Sequence, residues 1–125
     1  MSSPYGIIRN CEPEITDVEV DYVIRAMAGN QLSGHGDQVK EFEKEFAKYI
    51  GVKHCILTQN GSIAPYIALR AIGVGPGDEV IMPSQQISAV CGAISMTGAT
   101  IVSVDVDRRT WTIYSSKISK AITSR

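Results

Sequence analysis

The sequence predicts an α/β protein built on a mostly parallel sheet with crossover helices. Three observations carry this reading. Short, largely apolar runs at 54–58, 79–82 and 100–104 read as strands. Segments with apolar residues at helical spacing alternate with them, at 62–72 and 86–96. The connections are short and marked by Gly and Pro, so each strand returns through a helix to lie parallel to the next. The right-handed crossover rule sets the hand of each return.

The elements follow in order. Thr16 and Glu19 fit a capping box, in which each side chain satisfies a free backbone amide. Val20, Val23, Ile24 and Met27 then recur at helical spacing, and Gly29-Asn30 is a plausible stop. Residues 31–36 read as an ordered loop. Asp37 is expected to cap the second helix, whose apolar face is Val39, Phe42, Phe46, Tyr49 and Ile50. Lys40, Glu41, Glu43, Lys44 and Lys48 face water. Glu41 and Glu45 repel, Lys40–Lys44 runs beside them, and Glu41–Lys44 and Glu45–Lys48 are expected to offset the repulsion. Gly51 ends this helix. In the helix at 62–72, Pro65 is tolerated because it falls in the first turn. Gly73-Val74-Gly75-Pro76-Gly77-Asp78 is a turn cluster, and Pro83 closes the strand at 79–82. The helix at 86–96 is rich in small residues and ends near Gly98. Asp105-Val106-Asp107 leaves the last strand, and a weak helix is expected at about 115–122.

The chain has 125 residues, enough for one core. Its 44% hydrophobic and 20% charged residues are ordinary for a globular protein. A formal net charge of −1, with the charges interspersed, predicts no nucleic-acid or membrane affinity. No apolar run approaches the roughly 18 residues of a membrane span. The start, MSSPYGIIRN, has no apolar core of signal-peptide length. Cys11, Cys55 and Cys91 are odd in number and far apart, which argues against a disulfide framework or a metal site. A reducing, cytoplasmic compartment is the expectation.

Ligands of such sheets bind at the carboxyl ends of the strands. The loops leaving those ends are 59–62, 83–86 and the segment from Asp105. In the first, Asn60-Gly61-Ser62 opens a helix. Gly61 lets a ligand approach the backbone, Ser62 adds a hydroxyl, and the free amides of a helix start favour an anion such as phosphate. The same tripeptide is also a common turn with a capping Asn or Ser. Taken alone, the cap has the better odds, and Asn60 can serve either role.

The wider sequence resembles the DegT/DnrJ type of nucleotide-sugar aminotransferase, in the aspartate-aminotransferase fold class. The resemblance rests on Glu14-Ile15-Thr16-Asp17, on Val39-Lys40-Glu41-Phe42-Glu43-Lys44-Glu45-Phe46 followed by Tyr49-Ile50-Gly51-Val52-Lys53-His54, and on Asn60-Gly61-Ser62. It continues through Ala68-Leu69-Arg70-Ala71-Ile72-Gly73-Val74-Gly75-Pro76-Gly77-Asp78-Glu79-Val80-Ile81, the most specific run, then Gly98-Ala99-Thr100 and Val102-Ser103-Val104-Asp105-Val106-Asp107. It implies the N-terminal part of the large domain of a fold-type I transferase dependent on pyridoxal 5′-phosphate. Residues 1–36 would be an N-terminal helix and substrate-side loop, and residues 37–125 a partial cofactor-binding α/β domain. Gly61 and Ser62 would hold the cofactor phosphate, with Asn60 beside them. Ser62 stands where the family has Thr and keeps the hydroxyl.

Some positions depart from the family. After Pro83-Ser84-Gln85-Gln86 the slot for a ring-stacking aromatic holds Ile87, which covers a ring face by dispersion but cannot π-stack. Its other reading is a core residue of a degenerate site. Ser33 and Gly34 correspond to a substrate-side pair. His35 reads as a surface loop histidine, His54 as structural, and Asp105 and Asp107 as turn formers, since alternate residues of a strand end face opposite ways.

The Schiff-base lysine and the aspartate paired with the pyridine nitrogen belong, by the resemblance, to segments after the strand that would follow Arg125. None of Lys40, Lys44, Lys48, Lys53, Lys117 and Lys120 stands in that lysine's context, so no catalytic residue is assigned. The expected function is part of an aminotransferase acting on a nucleotide-linked keto-sugar with an amino-acid donor, glutamate by the resemblance. A homodimer or a complementary chain would be its partner. The alternatives are an inactive paralogue that binds an intact aminotransferase subunit, and a relic without activity.

Overall fold

The structure is a computed structural model and describes residues 11–124. The reading of the MSSPYGIIRN stretch lies outside these residues. The chain falls into two compact units that divide between Leu57 and Thr58.

The first unit carries α1 (Asp17–Ala28) and α2 (Asp37–Ile50). The expected capping box is present at α1: Val18 N donates to Thr16 Oγ1 at 3.3 Å, and Thr16 N to Glu19 Oε2 at 2.7 Å. The helix stops as the sequence implies. Asn30 takes the left-handed conformation (φ 54°), which Asn tolerates better than most residues.

Two local expectations are corrected at α2. Asp37 is the first helical residue and not the cap; the cap position is Gly36. The free amide of Asp37 instead donates to Gln31 Oε1 at 2.8 Å, so a side chain six residues earlier folds the loop back onto the helix start. A Cβ at Gly36 would meet that same oxygen at 2.9 Å, so a side chain there would displace the Gln31 contact. The expected Glu41–Lys44 and Glu45–Lys48 pairs do not form among the described residues; the ion pair on α2 is Lys40 with Asp37, at 3.2 Å. Long exposed side chains lose more entropy than such contacts return. Gly51 closes α2 in the left-handed region (φ 79°).

The run 54–58 is not a strand, which corrects the sequence reading. Its residues favour extended backbone, but a strand exists only beside a partner, and no ladder includes them among the described residues. Leu57 N donates to the side chain of Glu43 at 2.7 Å instead.

The second unit carries α3 (Ile63–Ala71), β1 (Glu79–Pro83), α4 (Ser88–Thr97), β2 (Thr100–Val104) and α5 (Ser115–Ala121). β1 and β2 pair in parallel, Glu79 opposite Thr100 and Pro83 opposite Val104. Their crossover is α4, which packs on β2 and on α3, while α5 also packs on β2. This is the predicted strand–helix–strand arrangement, reduced to two strands.

The turn cluster fixes the entry to β1. Gly75 N donates to Asp78 Oδ2 at 2.8 Å, and Thr100 N donates to Asp78 O at 2.9 Å. At the far end of α4, Gly98 is left-handed (φ 83°), and a Cβ there would lie 2.9 Å from Pro76 Cγ. Met82, Ala93, Ile94 and Val104 form the core of this unit. The buried hydroxyl of Thr97 is satisfied, donating to Ile94 O at 2.7 Å and accepting from Ala99 N at 3.2 Å.

Candidate cofactor-binding site

Asn60-Gly61-Ser62 lies just before α3, as the sequence places it. Ser62 occupies the cap position, but its side chain makes no capping bond. Asn60 does that work: its Oδ1 accepts from Ser62 N and Ile63 N, both at 3.0 Å. Thr58 Oγ1 donates to Asn60 O at 3.0 Å and steadies the turn. The cap reading of this tripeptide is therefore real in the structure.

Beside the turn is a cleft of about 520 Å³, lined by Gln59, Asn60, Ser62 and Ile63 on one side and by Ala89, Gly92, Ala93 and Met96 of α4 on the other. The α4 residues fall at i, i+3, i+4 and i+7, one face of a helix. Three of the four are small, which leaves space opposite α3. The sequence showed the small-residue composition of this helix but not which face would meet α3. A Cβ built on Gly61 meets nothing within 4 Å, so the space above it is open. The φ of Gly61 is not positive, so its backbone angle does not require glycine.

The remaining candidates are placed as follows. Ile87 is the cap residue of α4, is 68% exposed, and does not line the cleft at Asn60. Its amide donates to its neighbour's Gln86 Oε1 at 3.0 Å. Ser33 and Gly34 are exposed in the first unit, in the loop between α1 and α2, where Ser33 Oγ accepts from His35 N at 3.4 Å. His35 and His54 are both exposed.

Asp107 is the turn former expected: its Oδ1 accepts from Arg109 N at 2.8 Å and Thr110 N at 3.0 Å, and these bonds hold its carboxyl below the ordinary range. Asp105 does more, because it accepts a hydrogen bond from Lys117 Nζ at 2.6 Å, which lowers its carboxyl as well. Lys117 also lies 5.3 Å from the centre of the Tyr114 ring. No group of His, Cys, Asp and Glu among the described residues could hold a metal ion. No helix among them is long and apolar enough to cross a membrane.

A parallel strand pair joined by a crossover helix, with an open cleft at a helix start, defines a protein of the α/β class. The sequence profile of the DegT/DnrJ/EryC1/StrS aminotransferase family matches residues 13–125, and the chain belongs to that family. It is 44% identical over 113 residues to GDP-perosamine synthase of Caulobacter vibrioides, covering 90% of this chain and 30% of the relative. It is 41% identical to UDP-2-acetamido-2-deoxy-3-oxo-D-glucuronate aminotransferase of Pseudomonas aeruginosa, covering 94% of this chain and 33% of the relative. Among solved structures it matches a chain assigned as a sugar aminotransferase of Streptococcus pneumoniae in its PLP form, with a TM-score of 0.80 and 32% identity. That match covers 89% of this chain and 28% of the other, which is also solved in a PMP form. The chain thus spans about 30% of the length of the curated relatives it matches. Pyridoxal 5′-phosphate is the cofactor that this membership implies.

Proposed function

We propose that the chain supplies the cofactor-phosphate cradle of an aminotransferase that acts on a nucleotide-linked keto-sugar, with an amino acid, glutamate, as donor. The observation that carries this reading is the open space over Gly61 at the start of α3, in a chain of this family. The fit to a phosphate is good on two counts. Space is free above the backbone, and the Ser62 hydroxyl has no hydrogen-bond partner among the described residues. The positive end of α3 adds a favourable potential. When bound, the cofactor supplies an electron sink for proton removal beside the substrate nitrogen.

This chain's own residues bind and orient. Ser62 donates its hydroxyl to the phosphate, Gly61 keeps the approach open, and Asn60 yields the amides of Ser62 and Ile63 to it. Ile87 covers a face of the ring by dispersion. Ser33 and Gly34 contact the sugar substrate from residues 1–36, and residues 37–125 belong to the cofactor-binding domain. A second copy or a complementary chain completes the assembly. None of the six lysines acts as the Schiff-base residue.

The test is equilibrium binding of pyridoxal 5′-phosphate. Ser62→Ala is expected to weaken it about tenfold, as for a lost hydrogen bond to a charged group. Gly61→Val is expected to abolish it by filling the space. Unchanged affinity in both variants would refute the cradle. Reduction with borohydride is expected to trap no stoichiometric lysine adduct, and a specific adduct would overturn the lysine assignment.

A further inference from the structure

A second cleft of about 730 Å³ opens at the carboxyl ends of both strands, lined by Ser84 after β1, by Asp105, Val106 and Asp107 after β2, and by Arg108, Arg109, Tyr114 and Lys117. It shares no lining residue with the cleft at Asn60. Its position is the one where open α/β sheets take ligands.

The charges there are unevenly engaged. The Asp105 carboxylate is paired with Lys117 at 2.6 Å. The Asp107 carboxylate accepts the amides of Arg109 and Thr110. Arg108 and Arg109 have no carboxylate partner among the described residues, although both acids stand within a few positions of them. Each guanidinium therefore keeps its planar set of donors for something else.

The turn that carries them is tightly held. Asp107 N donates to Thr112 O at 2.9 Å, Trp111 N to Asp107 O at 2.8 Å, and Tyr114 N to Asp105 O at 2.9 Å. Val106 and Ile113 form an antiparallel bridge across its base. Trp111 sits in the left-handed region (φ 60°), a conformation that a bulky side chain adopts only when its surroundings impose it. The turn thus fixes the backbone from which two consecutive, exposed arginine side chains extend.

We propose that Arg108 and Arg109 make this cleft a binding site for a phosphate-bearing small molecule. Guanidinium forks match phosphate oxygens in pairs, and they are less strongly hydrated than an ammonium group. The hydroxyls of Ser84 and Tyr114 line the same space and add donors. Two adjacent guanidinium forks can each engage one phosphoryl group, which favours a diphosphate over free phosphate. The proposal stands independently of the cradle at Asn60.

The test is calorimetric titration of the protein with inorganic phosphate and with inorganic pyrophosphate, at constant ionic strength. Trp111 is the sole tryptophan and gives a second readout by its fluorescence. Saturable binding is expected, tighter for pyrophosphate, with a change in Trp111 emission. The Arg108→Ala/Arg109→Ala variant is expected to lose at least tenfold in affinity with an unchanged circular dichroism spectrum. Absence of saturable binding by either anion, or equal affinity in that variant, overturns the site. Should the alanine variant misfold, Arg108→Lys/Arg109→Lys decides: charge is kept and the fork is lost, so affinity should fall at least threefold, and unchanged affinity overturns the proposal.

Discussion

Asn60 Oδ1 holds the two amides that a phosphate at the start of α3 would use. On the proposed reading one side chain is both helix cap and competitor of the phosphate, and substitutions separate the roles. Asn60→Ala is expected to cost about 1 kcal/mol of stability through the lost cap, read from the denaturation midpoint. Asn60→Asp keeps an acceptor for the cap and places a negative charge at the favourable end of the helix. It should hold stability while sharply weakening pyridoxal 5′-phosphate binding, because the new charge faces the phosphate. An aspartate variant that binds as tightly as the parent would show that Asn60 does not adjoin the phosphate.

At α1, the hydrogen bonds from the Thr16 side chain and backbone hold the Glu19 carboxyl below its ordinary value of 4.5. A carboxyl depressed in the fold contributes stability that is present above its unfolded value and lost as pH falls through the folded one. The helical signal of α1 should therefore weaken as pH drops below about 4.5. Thr16→Ala removes the side-chain hydrogen bond but keeps the backbone one, so it should reduce that pH dependence, measured by circular dichroism across the same range.

Among the elements, the helices were legible because their signals are local. The capping box, the helical spacing of apolar residues and the closing glycines each act within a few residues, and α1 to α5 fall where those signals place them. The failures came where a partner lay farther away. Asp37 looked like a cap, but Gln31 reached its amide first. The run 54–58 has the composition of a strand, yet pairing needs a neighbour that composition does not reveal.

Gly98 is a case where element geometry sets a prediction. Its positive φ and the nearness of Pro76 both exclude a side chain. Gly98→Ala is expected to destabilise the protein by more than about 1 kcal/mol, from left-handed strain plus the clash. A shift of the denaturation midpoint would measure it, and an unshifted midpoint would show that Pro76 moves freely.

For the whole molecule, apolar spacing and apolar burial diverge. Phe42 and Phe46 stack at 5.4 Å between ring centres, yet they stay 46% and 42% exposed, and Tyr49 is 84% exposed. Val20, Val23, Ile24 and Met27 keep the spacing of a buried face on α1 and are exposed as well. Surface of this kind binds apolar dyes. The protein should enhance the fluorescence of anilinonaphthalene sulfonate at neutral pH, and Phe42→Lys/Phe46→Lys should reduce that signal; a dark native state would contradict the exposure.

The sequence by itself determined the family, the α/β class, the helices with their stops, and the position of Asn60-Gly61-Ser62 at a helix start. Those follow from short-range backbone chemistry and from residue order along the chain. Only the tertiary structure decided that small residues of α4 open a cleft opposite Asn60 and Ser62, and that Arg108 and Arg109 line a cleft without a carboxylate partner of their own among the described residues. Each depends on which side chains meet across elements, and distances between elements are set by packing, which no local pattern encodes.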